Sequence, residues 1–177
     1  MFKEFNLENL ENSKELLENI LDENRKKIAD LLKIENKTYK NFVLPFQEIG
    51  ESINDFLTPI FHIDSVKNSE ITTKVYEECI PVISKYETEI SQNENIYNAL
   101  INIQSKGNSS LNNIQNKVLE NEIRDFKLSG CHLENDKKKR LEEISLRLSE
   151  LSHKFSQNLL NATNAFEMII DNFEDVK

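Results

Sequence analysis

An all-α fold, a bundle of about five long and partly kinked helices, is what the 177-residue sequence predicts. Three observations carry that expectation. Apolar residues recur at spacings of three and four, which puts them on one stripe of a helix. Three Gly and three Pro in the whole chain leave few breaks, so the elements must be few and long. No apolar/polar alternation runs far enough to mark a half-buried strand. With 38% hydrophobic and 30% charged residues, each helix can bury one stripe and leave its remaining faces in water.

The first helix is expected from about Asn6 to Lys33, on Leu10, Leu17, Leu21, Ile28 and Leu31 or Leu32, with the Asn6 side chain as its N-cap. Thr38 caps the second, which carries Phe42, Phe46, Ile49, Ile53, Phe56, Leu57 and Ile60. Pro45 and Pro59 each lack a backbone donor, so this helix should bend early and end near "FHID", Phe61–Asp64. Ser69 caps the third, through Val75, Cys79, Val82, Ile83, Tyr86 and Ile90, with a kink at Pro81. "SQNEN" weakens the pattern before Ile96, Leu100 and Ile103 resume it. "SKGNSS", Ser105–Ser110, reads as a linker. The fourth helix carries Leu111, Ile114, Val118, Glu122 or Ile123, and Phe126, and Gly130 stops it.

The last helix, from about Glu134 to Ala165, has the most regular pattern. Leu141, Ile144, Leu148, Leu151, Phe155, Leu159, Ala162 and Phe166 form a seam expected to pack among the other helices, with Leu148 as a core position. The tail "FEMIIDNF" changes character and can begin a strand. It finds no partner within the chain, so it should fray or pair with another copy through Ile169 and Ile170.

A formal net charge of −9 and the absence of a clustered basic face speak against a nucleic-acid partner, since phosphates are held by such a face. The longest basic run, Lys137–Arg140, lies among acids at the start of a helix. The N-terminal twenty residues lack the basic start and apolar core of a signal peptide, and no stretch approaches the ~18 apolar residues of a membrane helix. Two cysteines, Cys79 and Cys131, suit a reducing compartment better than a disulfide framework. Cytoplasmic localisation, with no membrane partner, follows as the expectation. Cys79 shares a stripe with Val75 and Ile83 and reads as a small buried hydrophobe.

Candidate chemistry is sparse. "FHIDSVKNSE" places His62, Asp64 and Ser65 close together, but adjacent side chains point apart, and no G-x-S-x-G elbow or nearby glycine builds an oxyanion hole. The expectation is a connector between helices whose polar side chains cap backbone groups. His62, His132 and His153 include no pair four residues apart, and Cys131-His132 has no second pair, so no zinc ligand set forms. Phosphate-binding glycine loops are absent. The acidic clusters read as solvated helix faces. No catalytic, cofactor-binding or metal-binding residue is assigned.

Four stretches, taken together, resemble the thimet oligopeptidase and oligopeptidase A family of zinc metallopeptidases. "HIDSVKNS" (His62–Ser69) is similar to that family's H-L-N-S-V-K-N-S corner, and "PVISKY" (Pro81–Tyr86) to its P-L-L-S-E-Y segment. "IRDFKLSG" (Ile123–Gly130) matches L-R-D-F-x-L-S-G, and "RLSELSHKFSQNLLNAT" (Arg147–Thr163) matches R-L-S-E-L-x-x-x-[FY]-S-x-N-x-L-x-A-T. The resemblance covers about Tyr39 to Asn172 and is closer to the bacterial oligopeptidase A branch. Cys131-His132 departs from the small or apolar residues usual there.

The resemblance implies an all-helical wall of a deep channel that admits short peptides. It also implies a zinc-dependent endopeptidase, while the family's H-E-x-x-H motif, its downstream glutamate ligand and its substrate-binding Tyr/His loop have no counterpart in this sequence. Residues 1–177 are thus expected to form an incomplete N-terminal domain, without its catalytic domain, zinc or activity of its own. Its implied partners are short peptides and the remaining domain. The alternative is a free-standing helical adaptor without enzymatic activity.

Overall fold

The computed structural model describes residues 7–107 and 111–170, and these are helical with short connections. A 3₁₀ turn, Leu7–Asn12, leads into α1 (Ser13–Lys33), and a π-helical turn, Tyr39–Val43, into α2 (Leu44–Val66). Then follow α3 (Glu70–Ser91), α4 (Glu94–Gly107), α5 (Asn113–Leu128) and α6 (Asn135–Ala165).

Reciprocal caps set several helix starts. The Thr38 hydroxyl accepts from the Asn41 N–H while the Asn41 side chain accepts from the Thr38 N–H. Ser69 and Thr72 repeat the exchange before α3, as do Asn112 and Gln115 before α5. Each exchange satisfies donors that a helix start leaves unpaired. Thr38 and Ser69 are the caps expected from sequence; the Asn6 cap lies outside the described residues.

Three expectations change. There are six α-helices among the described residues, not about five, because "SQNEN" breaks the chain between α3 and α4. Asn93 Oδ1 accepts from the N–H groups of Asn95 and Ile96 at 3.0 and 3.3 Å and so opens a new helix. α2 runs through Pro59 and ends at Val66, two residues beyond the expected stop at "FHID". An interior proline removes one donor and crowds the carbonyl four residues back, and the buried Ile60 and Asp64 anchor the turns beyond it.

No strand forms among the described residues: after Ala165 the exposed stretch Phe166–Ile170 follows α6 without a neighbouring edge to pair with. The α6 seam is not a core seam either. No residue of α6 is buried, and Leu148 is 59% and Phe155 70% exposed.

The core consists of two clusters strung along α1. Leu17 and Leu21 pack with Ile53, Leu57 and Ile60 of α2 and with Val75, Cys79, Ile83 and Tyr86 of α3. Farther along, Ile28 packs with Phe42, Val43 and Ile49 and with Ile96, Leu100, Leu119, Ile123 and Phe126 from α4 and α5. Between them lies Asn24, 1% exposed. Its amide donates to the Ile49 carbonyl at 3.2 Å and to Ser52 Oγ at 3.0 Å. A buried amide without such partners costs more than the bonds gain, so these two contacts fix how α1 lies against α2.

Arg25 adds a tie from α1 to α3. Its guanidinium grips both Glu89 oxygens at 2.8–3.0 Å and lies over the Tyr86 ring, 5.2 Å from the centroid. The Glu89 hydrogen bond holds the Arg25 pKa above its usual value. After α5, Gly130 takes a left-handed φ of 78°, and an added Cβ there would meet Leu133 Cδ1 at 2.6 Å and Leu141 Cδ2 at 2.8 Å. The left-handed conformation of the turn into α6 therefore calls for glycine, and a side chain there would also have to push the two leucine ends aside.

Asn24→Ala is expected to lower unfolding free energy by roughly 2 kcal/mol, through lost bonds and an unfilled site between the clusters. Urea unfolding followed by circular dichroism measures it, and a change below about 0.5 kcal/mol would place the α1–α2 constraint elsewhere.

Candidate functional site

The polar residues singled out from sequence fall at the junction of α2, α3 and α6, and they do not form a reacting group. His62 is exposed on the penultimate turn of α2. The Ser65 hydroxyl donates to the His62 backbone carbonyl at 2.8 Å, a bond back along its own helix. Both therefore belong to α2 itself, and the connector is the shorter Lys67–Ser69. Asp64 is buried and turned away from them. It accepts from Asn68 Nδ2 at 2.8 Å, Thr73 Oγ1 at 3.2 Å and Gln157 Nε2 at 3.5 Å. One carboxylate thus joins the end of α2, the first turn of α3 and the far half of α6.

The face that α6 turns to α3 is polar and small. Ser145, Ser149, His153 and Gln157, four residues apart, lie on one stripe of the helix. Ser84 Oγ donates to Ser149 Oγ at 3.0 Å. The His153 ring stacks on Tyr76 with centroids 4.2 Å apart, and Tyr76 meets Phe61 at 4.4 Å. Burial, and secondarily the Asp64 charge, raises the Tyr76 pKa. The His153 side chain is 9% exposed, and its Nε2, without a hydrogen bond, stands 3.6 Å from Glu77 Oε1. At the start of α6, Lys138 pairs with Glu94 of α4 and, chiefly by that hydrogen bond, lowers the Glu94 pKa.

Alongside this contact runs a groove of 540 Å³ lined by Glu77, Ile80, Pro81, Arg147, Glu150 and Leu151, among others. Its charges pair locally, as Arg147 with Glu150 at 3.0 Å. Acyl transfer needs a nucleophile bonded to a base and donors for the oxyanion. Among the described residues no histidine ring is hydrogen-bonded to a hydroxyl or thiol.

The thiols are equally inert. Cys79 is buried and burial pushes its pKa up to about 11, and burial also raises that of buried Cys131. Neither is the exposed, low-pKa thiolate that nucleophilic chemistry uses. His132 is exposed beside Cys131. No group of three or more His, Cys, Asp or Glu able to hold a metal occurs among the described residues, and no helix among them is long and apolar enough to cross a membrane. Of the basic run, Lys138 is committed to Glu94 and Arg140 to Glu143.

Sequence reasoning missed Asp64 as a three-helix tie, Gln157 as its α6 partner and His153 as the ring that stacks on Tyr76. Spacing by four was the available signal. It was overshadowed by the stronger apolar stripe on the same helix.

Residues 17–138 match the sequence profile of the family described as Neurolysin/Thimet oligopeptidase, N-terminal domain. The chain is 38% identical over 157 residues to oligopeptidase A of Haemophilus influenzae, a match covering 88% of this chain and 23% of that protein. It is 35% identical over 134 residues to oligopeptidase A of Escherichia coli, covering 75% and 20%. To a probable cytosolic oligopeptidase A of Arabidopsis thaliana it is 29% identical over 159 residues, covering 89% and 23%. The chain thus spans about a fifth to a quarter of the length of the curated relatives it matches.

Because Ser69 caps α3 and Ser65 only bonds back along α2, their alanine variants should differ. Ser69→Ala should cost about 1 kcal/mol and Ser65→Ala less than about 0.5 kcal/mol in equilibrium unfolding. The reverse order would return the capping role to Ser65. The two thiols should resist an aromatic disulfide reagent at pH 8 in the native protein and react fully in denaturant.

Proposed function

Because the chain belongs to the Neurolysin/Thimet oligopeptidase N-terminal domain family, we propose that it is the helical, non-catalytic front of a zinc-dependent oligopeptidase that hydrolyses short peptides. The observation that carries this reading is the family match across residues 17–138; the relatives named oligopeptidase A support it. The whole of 1–177 serves as one scaffold unit, part of the wall of a channel too narrow for folded proteins. Two apolar clusters locked by Asn24 and Arg25 suit a wall that keeps its shape.

The described residues do not fit a zinc ion. His62 lies on α2, His132 in the turn before α6 and His153 on α6, and none converges with a further ligand. No catalytic, cofactor-binding or metal-binding role is therefore assigned to any residue here, and peptide hydrolysis belongs to the part of the protein that carries the metal. The working compartment on this reading is the cytoplasm, in keeping with the Arabidopsis relative named cytosolic. Short peptides and the remainder of the peptidase are its partners; nucleic acid and membrane are not.

A chimera in which this chain replaces the matched region of the Haemophilus influenzae oligopeptidase A should cleave a short quenched fluorescent peptide. A chelator should abolish the cleavage, and a folded protein containing the same peptide sequence should remain intact. The 177-residue chain alone should retain no stoichiometric zinc after dialysis against a weak chelator and should cleave nothing. Zinc-bound, active protein from the chain alone would falsify the scaffold reading, as would a folded chimera without activity beside an active parent.

A further inference from the structure

The outward stripe of α6 has an apolar surface without a partner among the described residues and a geometry that selects one. We propose that Ile144, Leu148, Leu151, Phe155 and Leu159 form the interface on which the remainder of the family-length polypeptide packs. The inference rests on the oligopeptidase reading above and adds the surface through which this chain joins the rest of that protein.

Three observations carry it. First, α6 is amphipathic the opposite way from its most extensive contact among the described residues. Its polar stripe (Ser145, Ser149, His153, Gln157) faces α3, and its apolar stripe lies on roughly the opposite side of the helix. Leu148 and Leu159 are both 59% exposed, and Phe155 is 70% exposed. Contiguous apolar surface of this kind marks an interface.

Second, the relatives extend far beyond this chain and share α6 with it. A match over 88% of the chain leaves about 21 positions unmatched, so the likeness to the Haemophilus influenzae protein runs well into α6. Yet the region matching the N-terminal domain family stops at residue 138, at the start of this helix. The likeness to this relative thus continues into α6 beyond the domain-family match, while about three quarters of the relative lies outside it.

Third, the stripe does not suit pairing with a second copy of itself. Ile144, Phe155 and Phe166 repeat every eleven residues, with Leu148 and Leu159 in step. An eleven-residue repeat is about 3.67 residues per turn, close to the helix's own 3.6, so the stripe runs nearly straight. A left-handed coiled-coil dimer needs a stripe at 3.5. At that period the position after Phe155 falls on Asn158 in place of Leu159. A straight apolar ridge fits a groove in a globular body.

The two native thiols are buried, so Phe155→Cys supplies a single reactive probe. In the 177-residue chain it should label rapidly with a maleimide at any concentration. In the Haemophilus influenzae chimera it should label at least about tenfold more slowly. Equal labelling in a folded chimera overturns the proposal, and concentration-dependent protection in the chain alone overturns it in favour of a second copy. Protection without peptidase activity would leave the interface standing while the oligopeptidase reading falls; activity with an exposed thiol would do the reverse. A second measurement needs no chimera. Leu148→Glu/Phe155→Glu in the chain alone should keep its helicity and thermal midpoint and lose hydrophobic-dye binding. Unfolding of that double variant would place the stripe in the core and end the proposal.

Discussion

Asn24 sits where the two apolar clusters meet, and how its amide is satisfied fixes α1 against α2. A buried amide must find hydrogen-bond partners or cost the fold their absence. Here they are the Ile49 carbonyl and Ser52, both on α2. With α1 fixed against α2 at that level, Leu17 and Leu21 reach one cluster and Ile28 the other. Ile53 and Ile49 of α2 divide the same way. One polar residue in an apolar stripe thereby makes a long helix serve two cores. Arg25, the next residue, carries the constraint across to Glu89 and Tyr86 of α3.

Against this frame α6 is held differently. Its contacts to α3 include the Ser84–Ser149 hydrogen bond and the His153–Tyr76 stack, and none of its residues is buried. Hydrophobic burial scales with area, about 25 cal/mol per Å², so a helix docked by serine hydroxyls, a histidine ring and a glutamine gains less than α1 or α3. The Lys138–Glu94 pair adds a tie at one end; as the pH falls through the lowered Glu94 pKa, that contribution is lost. A helix so placed has its larger energetic interest on the other side, where the leucines and Phe155 are.

The polar cluster around Asp64 shows why residue types that resemble a hydrolase need not act as one. His62, Asp64 and Ser65 are neighbours in sequence, and a helix fans neighbours around its axis. Asp64 points inward to Asn68, Thr73 and Gln157, while His62 and Ser65 point to solvent. The carboxylate is used up in joining three helices.

Much of this was legible in the sequence. The all-helical class, the caps at Thr38 and Ser69 and the burial of Cys79 with Val75 and Ile83 follow from local propensity and periodicity, which depend on residues a few positions apart. The family resemblance was legible too, in four motifs spread from His62 to Thr163. Tertiary structure alone decided the rest. Periodicity states which residues share a face of α6 but not which face meets a neighbour. That depends on α3, whose available surface at Ser84, Tyr76 and Glu77 is polar because its apolar side is already closed against α1 and α2. The continuation of α2 past Pro59 and the lack of a strand among the described residues after Ala165 are of the same kind. Each depends on whether a distant part of the chain supplies an anchor or an edge, and nothing local to the residue can say.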